Sequence, residues 1–465
     1  MVMNGSRGGH RLTALTAGAG TALLAAFVFQ AEALAQAQFA STSSDDRAVT
    51  YSGEIADLIY DNCVVCHRPG GIGPMSLLTY EDARRYAQRI RHQVGSELMP
   101  PYAYDRDVGI QDLKEDWRLS EDDIASVVSW VDQGAPLGDA QDVPPLPDLP
   151  DPSEWTMAEL FGPPDLVIRS TPIDVPVNGN DIWHRPIIPT GLTTDRCIMA
   201  SQVKPAGNAA TVVHHAIPTF QRTNGDGTIE RLERATEYAM GKYGEIAPEG
   251  VCRIAPANSE IRWDIHLYPG GLGATAPGTV IEDNVVELGL WLHPEDYAYD
   301  YMQDLQSYGF EEGQTEMLIP PHGKVMTQGF DVFDHPVRID SWQPHGHLRL
   351  RAASLEVFYP ETGRTETIGM VSNWSAVWHQ SHIYDDDSAP LIPAGAVLVQ
   401  KNWYDNTADN PNNPDPDQWI NYGSRTADEM SHGWLAVTHL DEEGYQRLLA
   451  ERAERARPAA DQQEQ

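Results

Sequence analysis

Cys63 and Cys66 stand three positions apart and are followed at once by a histidine, in the run Cys63-Val64-Val65-Cys66-His67. This C-x-x-C-H spacing suits covalent haem attachment: the thiols add across the two vinyl groups, and the adjacent imidazole ligates the iron. A zinc site would need a second C-x-x-C or a histidine pair nearby, and none follows. A redox dithiol would close a strand in a βαβ pattern, which this stretch lacks. The second axial position calls for a methionine or histidine downstream. Met99, in Leu98-Met99-Pro100-Pro101, is the choice, because the prolines stiffen the loop that carries its thioether. Met75 and His92 are the competitors.

A second group of chemistry-bearing residues lies beyond residue 200. Val212-Val213-His214-His215 sets two imidazoles side by side, Trp263-Asp264-Ile265-His266 ends a strand-like run with a third, and Pro344-His345-Gly346-His347 is an H-x-H. On a strand, positions i and i+2 share a face, so His345 and His347 can close on one metal ion. His214 and His215 would point to opposite faces of a regular strand and can share an ion only at a bulge or strand end. Imidazole-rich sets without carboxylates suit copper, zinc or iron rather than calcium or magnesium. Taken singly, each element also matches a surface pair or a chance doublet. His10, His92, His184, His293, His322, His335, His379, His382 and His439 have no such spacing and read as ordinary polar or core residues.

The elements that must hold these groups differ along the chain. From 51 to 140 the pattern is helical: Ile55, Leu58 and Ile59 precede the cysteines, and Ser120, with Asp123 three residues on, caps a stripe of Ile124, Val127, Val128 and Val131 beside Trp130 that stops at Gly134-Ala135-Pro136. Residues 141–163 form a proline-rich acidic linker, extended and semi-rigid. From 164 onward, short runs rich in Val, Ile, Thr and aromatics (165–168, 285–292, 348–359, 396–404) alternate with Gly, Pro, Asn and Asp clusters, as in antiparallel β-sandwiches. The expectation is therefore a multidomain chain: a small all-α cytochrome c domain at 51–140, then two antiparallel β-sandwich, jelly-roll-like domains at 164–325 and 326–445, and a charged tail at 446–465.

Composition narrows the setting. Acidic residues outnumber basic ones 68 to 32, for a formal charge of -36, which argues against nucleic-acid or anionic-membrane partners. Residues 1–35 read as a secretory signal, with Arg7 and Arg11 before the apolar run 12–29 and Ala33-Leu34-Ala35 as a cleavage site. No later stretch is apolar enough to span a bilayer. Residues 36–50 are small and polar, and are expected to be flexible. A periplasmic or secreted protein follows, and in that compartment a disulfide between Cys197 and Cys252 is expected.

The order of the second group carries a resemblance. His-His, a histidine ending a strand, H-x-H and then Asp428-Glu429-Met430, spread over roughly 165 to 440, resembles the copper type II, ascorbate-dependent monooxygenases, such as peptidylglycine α-hydroxylating monooxygenase and dopamine β-monooxygenase. Bacterial relatives with an N-terminal cytochrome c domain are more similar still, through Cys-His-Arg-Pro-Gly-Gly-Ile-Gly-Pro (66–74), Leu-Thr-Tyr-Glu-Asp-Ala (78–83), Met-Pro-Pro (99–101) and the Asn/Asp/Pro-rich run 405–416. The resemblance implies two copper ions. His214, His215 and His266 would hold an electron-transfer copper in the first sandwich, and His345, His347 and Met430 the catalytic, oxygen-binding copper in the second. A thioether favours Cu(I), the state that meets dioxygen. Peptide-amidating members carry an arginine two residues before the H-x-H. Here that residue is Gln343, and Ser431, His432, Gly433 and Trp434 offer no carboxylate clamp, so a peptide substrate is not expected. His432 is a further candidate ligand, with a surface or supporting position as the simpler reading.

The function these features imply is an exported, haem-c-containing, copper-dependent monooxygenase that hydroxylates a C–H bond of a small organic substrate with dioxygen. The linker would keep the haem at high effective concentration, so that it replaces ascorbate as electron donor. The alternative from another class is a non-catalytic periplasmic electron carrier whose sandwiches dock a redox partner protein. A mononuclear zinc or copper hydrolase would need a general base near the metal, for which Asp428 and Glu429 are the nearby candidates. No nucleophile elbow, dinucleotide fingerprint or Walker loop is present, and the Gly270-Gly271-Leu272-Gly273 run lacks the strand–helix context for phosphates.

Overall fold

In a computed structural model of the chain, residues 48–69, 71, 73–149, 151, 154–176, 182–239, 242, 244–267, 280–309 and 317–456 are described. The expected leader at 1–35, most of the polar stretch after it, the Gly270–Gly273 run and the last residues of the charged tail lie outside the described residues.

Three helices surround the Cys63–His67 loop. α1 (Ala56–Asn62) buries Ala56, Ile59 and Tyr60 and ends at Cys63. α2 (Tyr80–Gly95) starts where the Thr79 side chain accepts the Asp82 N–H at 3.1 Å, and it buries Ala83, Ala87, Ile90 and Val94 on one face. α3 (Glu121–Asp132) opens on the reciprocal Ser120/Asp123 capping box and stops before Gly134, whose φ of +89° suits a residue without a Cβ. Trp130 is fully buried and donates Nε1–H to the Pro136 carbonyl at 3.0 Å; with Tyr51, Ile55, Ile59 and Val127 it forms one apolar core.

The expected separate all-α domain at 51–140 does not exist. Among the described residues 39% are strand against 17% helix, and the segment between α2 and α3 belongs to the β-structure. Tyr102 and Tyr104 are buried in the core between the sheets of the C-terminal half. Tyr104 bridges to Val371, the Asp105 N–H donates to the Met370 carbonyl at 2.9 Å, and β1 (Leu113–Lys114) pairs antiparallel with His382–Tyr384. The physical cause is local. Pro100 and Pro101 end helical propagation, and two bulky aromatics find deeper burial against a sheet than three short helices provide. The three-residue strand His382–Tyr384 also gains an edge partner.

In chain order the strands that position the site are β2 (Ile182–His184), β3 (Arg196–Ala206), β4 (Val213–Thr223), β5 (Val251–Ala255), β6 (Glu260–Leu267), β7 (Val280–Leu292), β8 (Tyr301–Gly309), β9 (Val337–His345), β10 (Leu350–Tyr359), β11 (His382–Tyr384), β12 (Val397–Asp405) and β13 (His432–His439). A 12-stranded sheet runs β1-β11-β9-β13-β8-β5-β3-β7 and on to Leu166–Arg169. Its two halves join through the parallel pair β5/β8, with Val251 opposite Tyr301. A 6-stranded sheet built on β2-β6-β4 covers one apolar core (Ile198, Phe220, Trp263, Leu288), and a 4-stranded sheet containing β12 and β10 covers another (Ile339, Trp342, Leu355, Val437). These layers fit β-sandwich packing. The runs read as strand-like at 165–168, 348–359 and 396–404 match strands to within a residue or two, and 285–292 lies inside the longer Val280–Leu292.

Cys197 on β3 and Cys252 on β5 form a disulfide between neighbouring strands, with Cα atoms 5.3 Å apart and a sequence separation of 55. Chain-entropy closure of such a loop contributes about 4 kcal/mol. The Cys197→Ala/Cys252→Ala double variant is expected to lose stability of about that size in denaturant unfolding, whereas an unchanged midpoint would show the bond to be dispensable.

Candidate metal centre and haem cavity

The Cys63–His67 loop opens onto a cavity of ≈ 590 Å³ lined by Cys63, Cys66, His67, Met75, Met99 and Pro100. Cofactor sites span about 300–1,000 Å³. His67 Nδ1 lies 3.2 Å from the Met75 carbonyl oxygen, a contact that requires the proton on Nδ1 and leaves Nε2 as the lone-pair donor. The same bond ties the Met75 backbone to the imidazole that would be the near-side ligand. Met99 arrives on the loop after α2. Both methionines line the cavity, while His92 is exposed and is not among the lining residues. Burial, with Cys66 nearby, pushes the Cys63 thiol up to about 12. Gly73 packs so closely that an added Cβ would stand 2.6 Å from His67 Nδ1. Gly73→Ala is therefore expected to turn the His67 ring and lower covalent haem incorporation at least several-fold, read from the reduced haem spectrum per chain; full incorporation would contradict this use of the cavity.

Both histidine groups of the sequence come together at one place. β4 and β6 pair antiparallel with His215 directly opposite His266, and the register then skips from His266/His215 to Leu267/Val213. The skipped residue is His214. This is the bulge that two adjacent histidines need to face one point. On β6, Ile261, Trp263, Ile265 and Leu267 fill the core, which leaves His266 on the opposite face, stacked on Trp183 of β2 at 4.6 Å. His214 Nδ1 lies 3.3 Å from His215 Nδ1 and 3.4 Å from His266 Nδ1, and all three ligand atoms fall within 4.8 Å of one another. Three nitrogens bound at about 2.0 Å to one ion would be about 3.3–3.5 Å apart, so the donor set fits a first-row metal. His214 Nε2 donates to the Ala376 carbonyl at 3.0 Å, which keeps Nδ1 unprotonated.

The H-x-H departs from a regular strand. β9 ends at His345, so His347 lies beyond it, yet the two ring centroids are 5.6 Å apart. An added Cβ on the intervening Gly346 would meet Leu350 Cδ2 at 2.7 Å. His347 Nδ1 contacts the Asp428 carbonyl at 3.1 Å as donor, which leaves Nε2 for a ligand. His345 stacks on Trp434 at 4.4 Å and on His432 at 4.8 Å, and its Nδ1 is buried without a hydrogen-bond partner. The Met430 backbone is fixed nearby. Its carbonyl accepts the Tyr404 hydroxyl at 2.6 Å, and the preceding Glu429 accepts the His347 and Arg349 amides at 2.8 and 2.6 Å. On β12, buried Gln400 and Asn402 continue this network to Ser431. The two groups are contiguous, with His215 and His345 centroids 6.0 Å apart.

Burial favours the neutral form of His215, His345 and His347. His215 and His345 are pushed well below the ordinary histidine range by desolvation and then by neighbouring imidazoles, and His347 is pushed down to about 4, chiefly by desolvation. Neutral imidazole is the ligating form. The bases that the hydrolase alternative needs are committed elsewhere: Asp428 pairs with Arg425 at 2.5 Å, and both Glu429 oxygens accept backbone amides. His379, dismissed on spacing, lies inside the cluster, its centroid 5.0 Å from that of His345.

Gln343 is buried, donating Nε2–H to Glu237 at 2.7 Å and accepting from Ser381 at 2.6 Å. Both ends of its amide are thus held by protein partners. Desolvation pushes Glu237 up to about 7 from 4.5. Between those values the folded chain keeps a proton that the unfolded chain has lost, so stability falls as pH rises through that window. Glu237→Gln should flatten the decline in thermal midpoint from pH 5 to 8 by an amount equivalent to at most about 3 kcal/mol. An identical slope in both proteins would show that Glu237 does not titrate there.

No protein-family profile matches the chain, and no curated protein is similar to it in sequence. Among solved structures, two of PNGF-II align with 60% and 57% of the chain at 9% and 11% identity, with TM-scores of 0.26 and 0.22; the chain spans 65% and 60% of their length. The infectious bursal disease virus VP2 subviral particle aligns with 62% of the chain and 76% of its own at 10% identity, with a TM-score of 0.17. Likenesses at these scores carry no argument.

Proposed function

We propose that the chain is an exported, haem- and copper-dependent monooxygenase acting on a C–H bond of a small organic substrate. The observation that carries this reading is the Nδ1 triangle of His214, His215 and His266, with edges of 3.3 and 3.4 Å, set against a second buried pair, His345 and His347. When bound, copper and haem together would supply the redox chemistry, in which R–H, dioxygen, two electrons and two protons give R–OH and water. The chain's own residues would hold and orient the ions. His214, His215 and His266 would form one site, and His345, His347 and Met430 the site at which oxygen is used.

Cys63, Cys66 and His67 would anchor the haem, and Met99, which lines the same cavity, would supply a further ligand. The carbonyls of Met75, Ala376 and Asp428 set the tautomers of His67, His214 and His347. Export is supported by the Cys197–Cys252 disulfide, and among the described residues no helix is long and apolar enough to cross a membrane. The test is single turnover from pre-reduced haem. Copper-dependent haem reoxidation, matched to labelled oxygen entering a product, is expected. Full turnover on ascorbate while the haem stays oxidised would contradict delivery of electrons through the haem.

A further inference from the structure

His379 lies in the segment between Arg364–Val371 and β11, and it is 2% exposed. Its ring centroid is 4.9 Å from that of His214, 5.9 Å from His215 and 5.0 Å from His345, so it touches members of both histidine groups. Neither Nδ1 nor Nε2 reaches hydrogen-bond geometry; the polar atom nearest the ring is the Ala376 carbonyl, which also accepts His214 Nε2 at 3.0 Å. A neutral imidazole carries one N–H and one lone pair, and burying either unmatched costs about 1–3 kcal/mol. A buried nitrogen left so is matched by a bound water or by an ion. Beside the imidazoles of His214, His215 and His345, an ion there would be a borderline or soft cation rather than a hard one.

We propose that His379 is a further metal ligand, placed between the two histidine groups so that they form one contiguous centre. This rests on the copper reading above. It also gives the segment a second role, because Val377 and Trp378, which immediately precede His379, line the cavity that holds Cys63, Cys66 and His67. The metal centre and the haem cavity are thus joined along a few residues of main chain, and Ala376, at the start of that run, orients His214.

The test uses the full-length, haem-containing protein loaded with copper, comparing wild type with His379→Ala, His379→Gln and His379→Gly. The readouts are copper retained against a competing chelator and the nitrogen hyperfine pattern of the Cu(II) electron paramagnetic resonance spectrum. The expected result is an unchanged haem content, copper loss from one site at least tenfold easier, an altered hyperfine pattern, and recovery of both in His379→Gly on adding imidazole. Variants that match the wild type in retention and spectrum would overturn the proposal while leaving the copper reading intact. Copper lost only together with the fold in all three variants, with no imidazole rescue, would assign His379 a structural role and overturn it as well. A wild type that binds no copper would overturn both.

Discussion

His345→Ala should lower oxygen-dependent turnover by about 10³-fold or more, since removing a ligand exceeds the roughly 10–100-fold cost of removing a ligand's supporting partner. The ring is 1% exposed, stacks on Trp434 and His432, and pairs in register with His432 across β9 and β13. Truncating a stacked ring leaves a cavity worth about 2–4 kcal/mol, a loss that a core of this size should withstand. The variant should therefore stay folded, keep its haem and retain less copper. Oxygen uptake and copper per chain are the measurements, with His345→Gln as the control that preserves volume. Unchanged uptake in both variants would remove His345 from the chemistry.

The second large effect is expected at Glu429. Its side chain is fully buried and accepts both the His347 and Arg349 amides, so Glu429→Ala leaves two buried N–H donors unmatched at about 1–3 kcal/mol each. It also removes the acidic group that interacts electrostatically with the buried Arg349 guanidinium, which is bonded to Asn406 at 2.8 Å and the Ala427 carbonyl at 2.9 Å. A loss of about 4 kcal/mol or more in denaturant unfolding is expected, together with weakened copper binding at His345 and His347. Glu429→Gln should recover only part of it, because the amide group presents a donor where an acceptor is required. A loss below about 1 kcal/mol would show that the brace is not needed.

Much of the site could be read from residues whose chemistry is local. The C-x-x-C-H loop, the Ser120/Asp123 capping box and the strand runs each depend on neighbours a few positions away. The need for a bulge at His214 followed from the two-residue period of a strand, and the register skip supplies it. What was missed depends on distant partners. α2 went unread although Thr79 caps it and Ala83, Ala87, Ile90 and Val94 recur at helical spacing; its stripe is alanine-rich, and Arg84, Arg85, Arg89 and Arg91 mask it. The all-α expectation failed because Tyr102 and Tyr104 bury themselves against strands more than 200 positions away, as the Tyr104 bond to the Ile368 carbonyl shows. His379 carries no spacing signal, since its neighbours in space come from β4 and β9. Glu429 read as a candidate base because a sequence cannot show that backbone amides have taken both its oxygens.

The most direct test of the central claim is the metal and haem content of the purified protein, matured with haem and reconstituted with copper. Elemental analysis should give one iron and two copper ions per chain, with a reduced c-type haem spectrum. One iron and no copper after reconstitution would contradict the monooxygenase and leave an electron-carrying haem protein with a β-sheet framework.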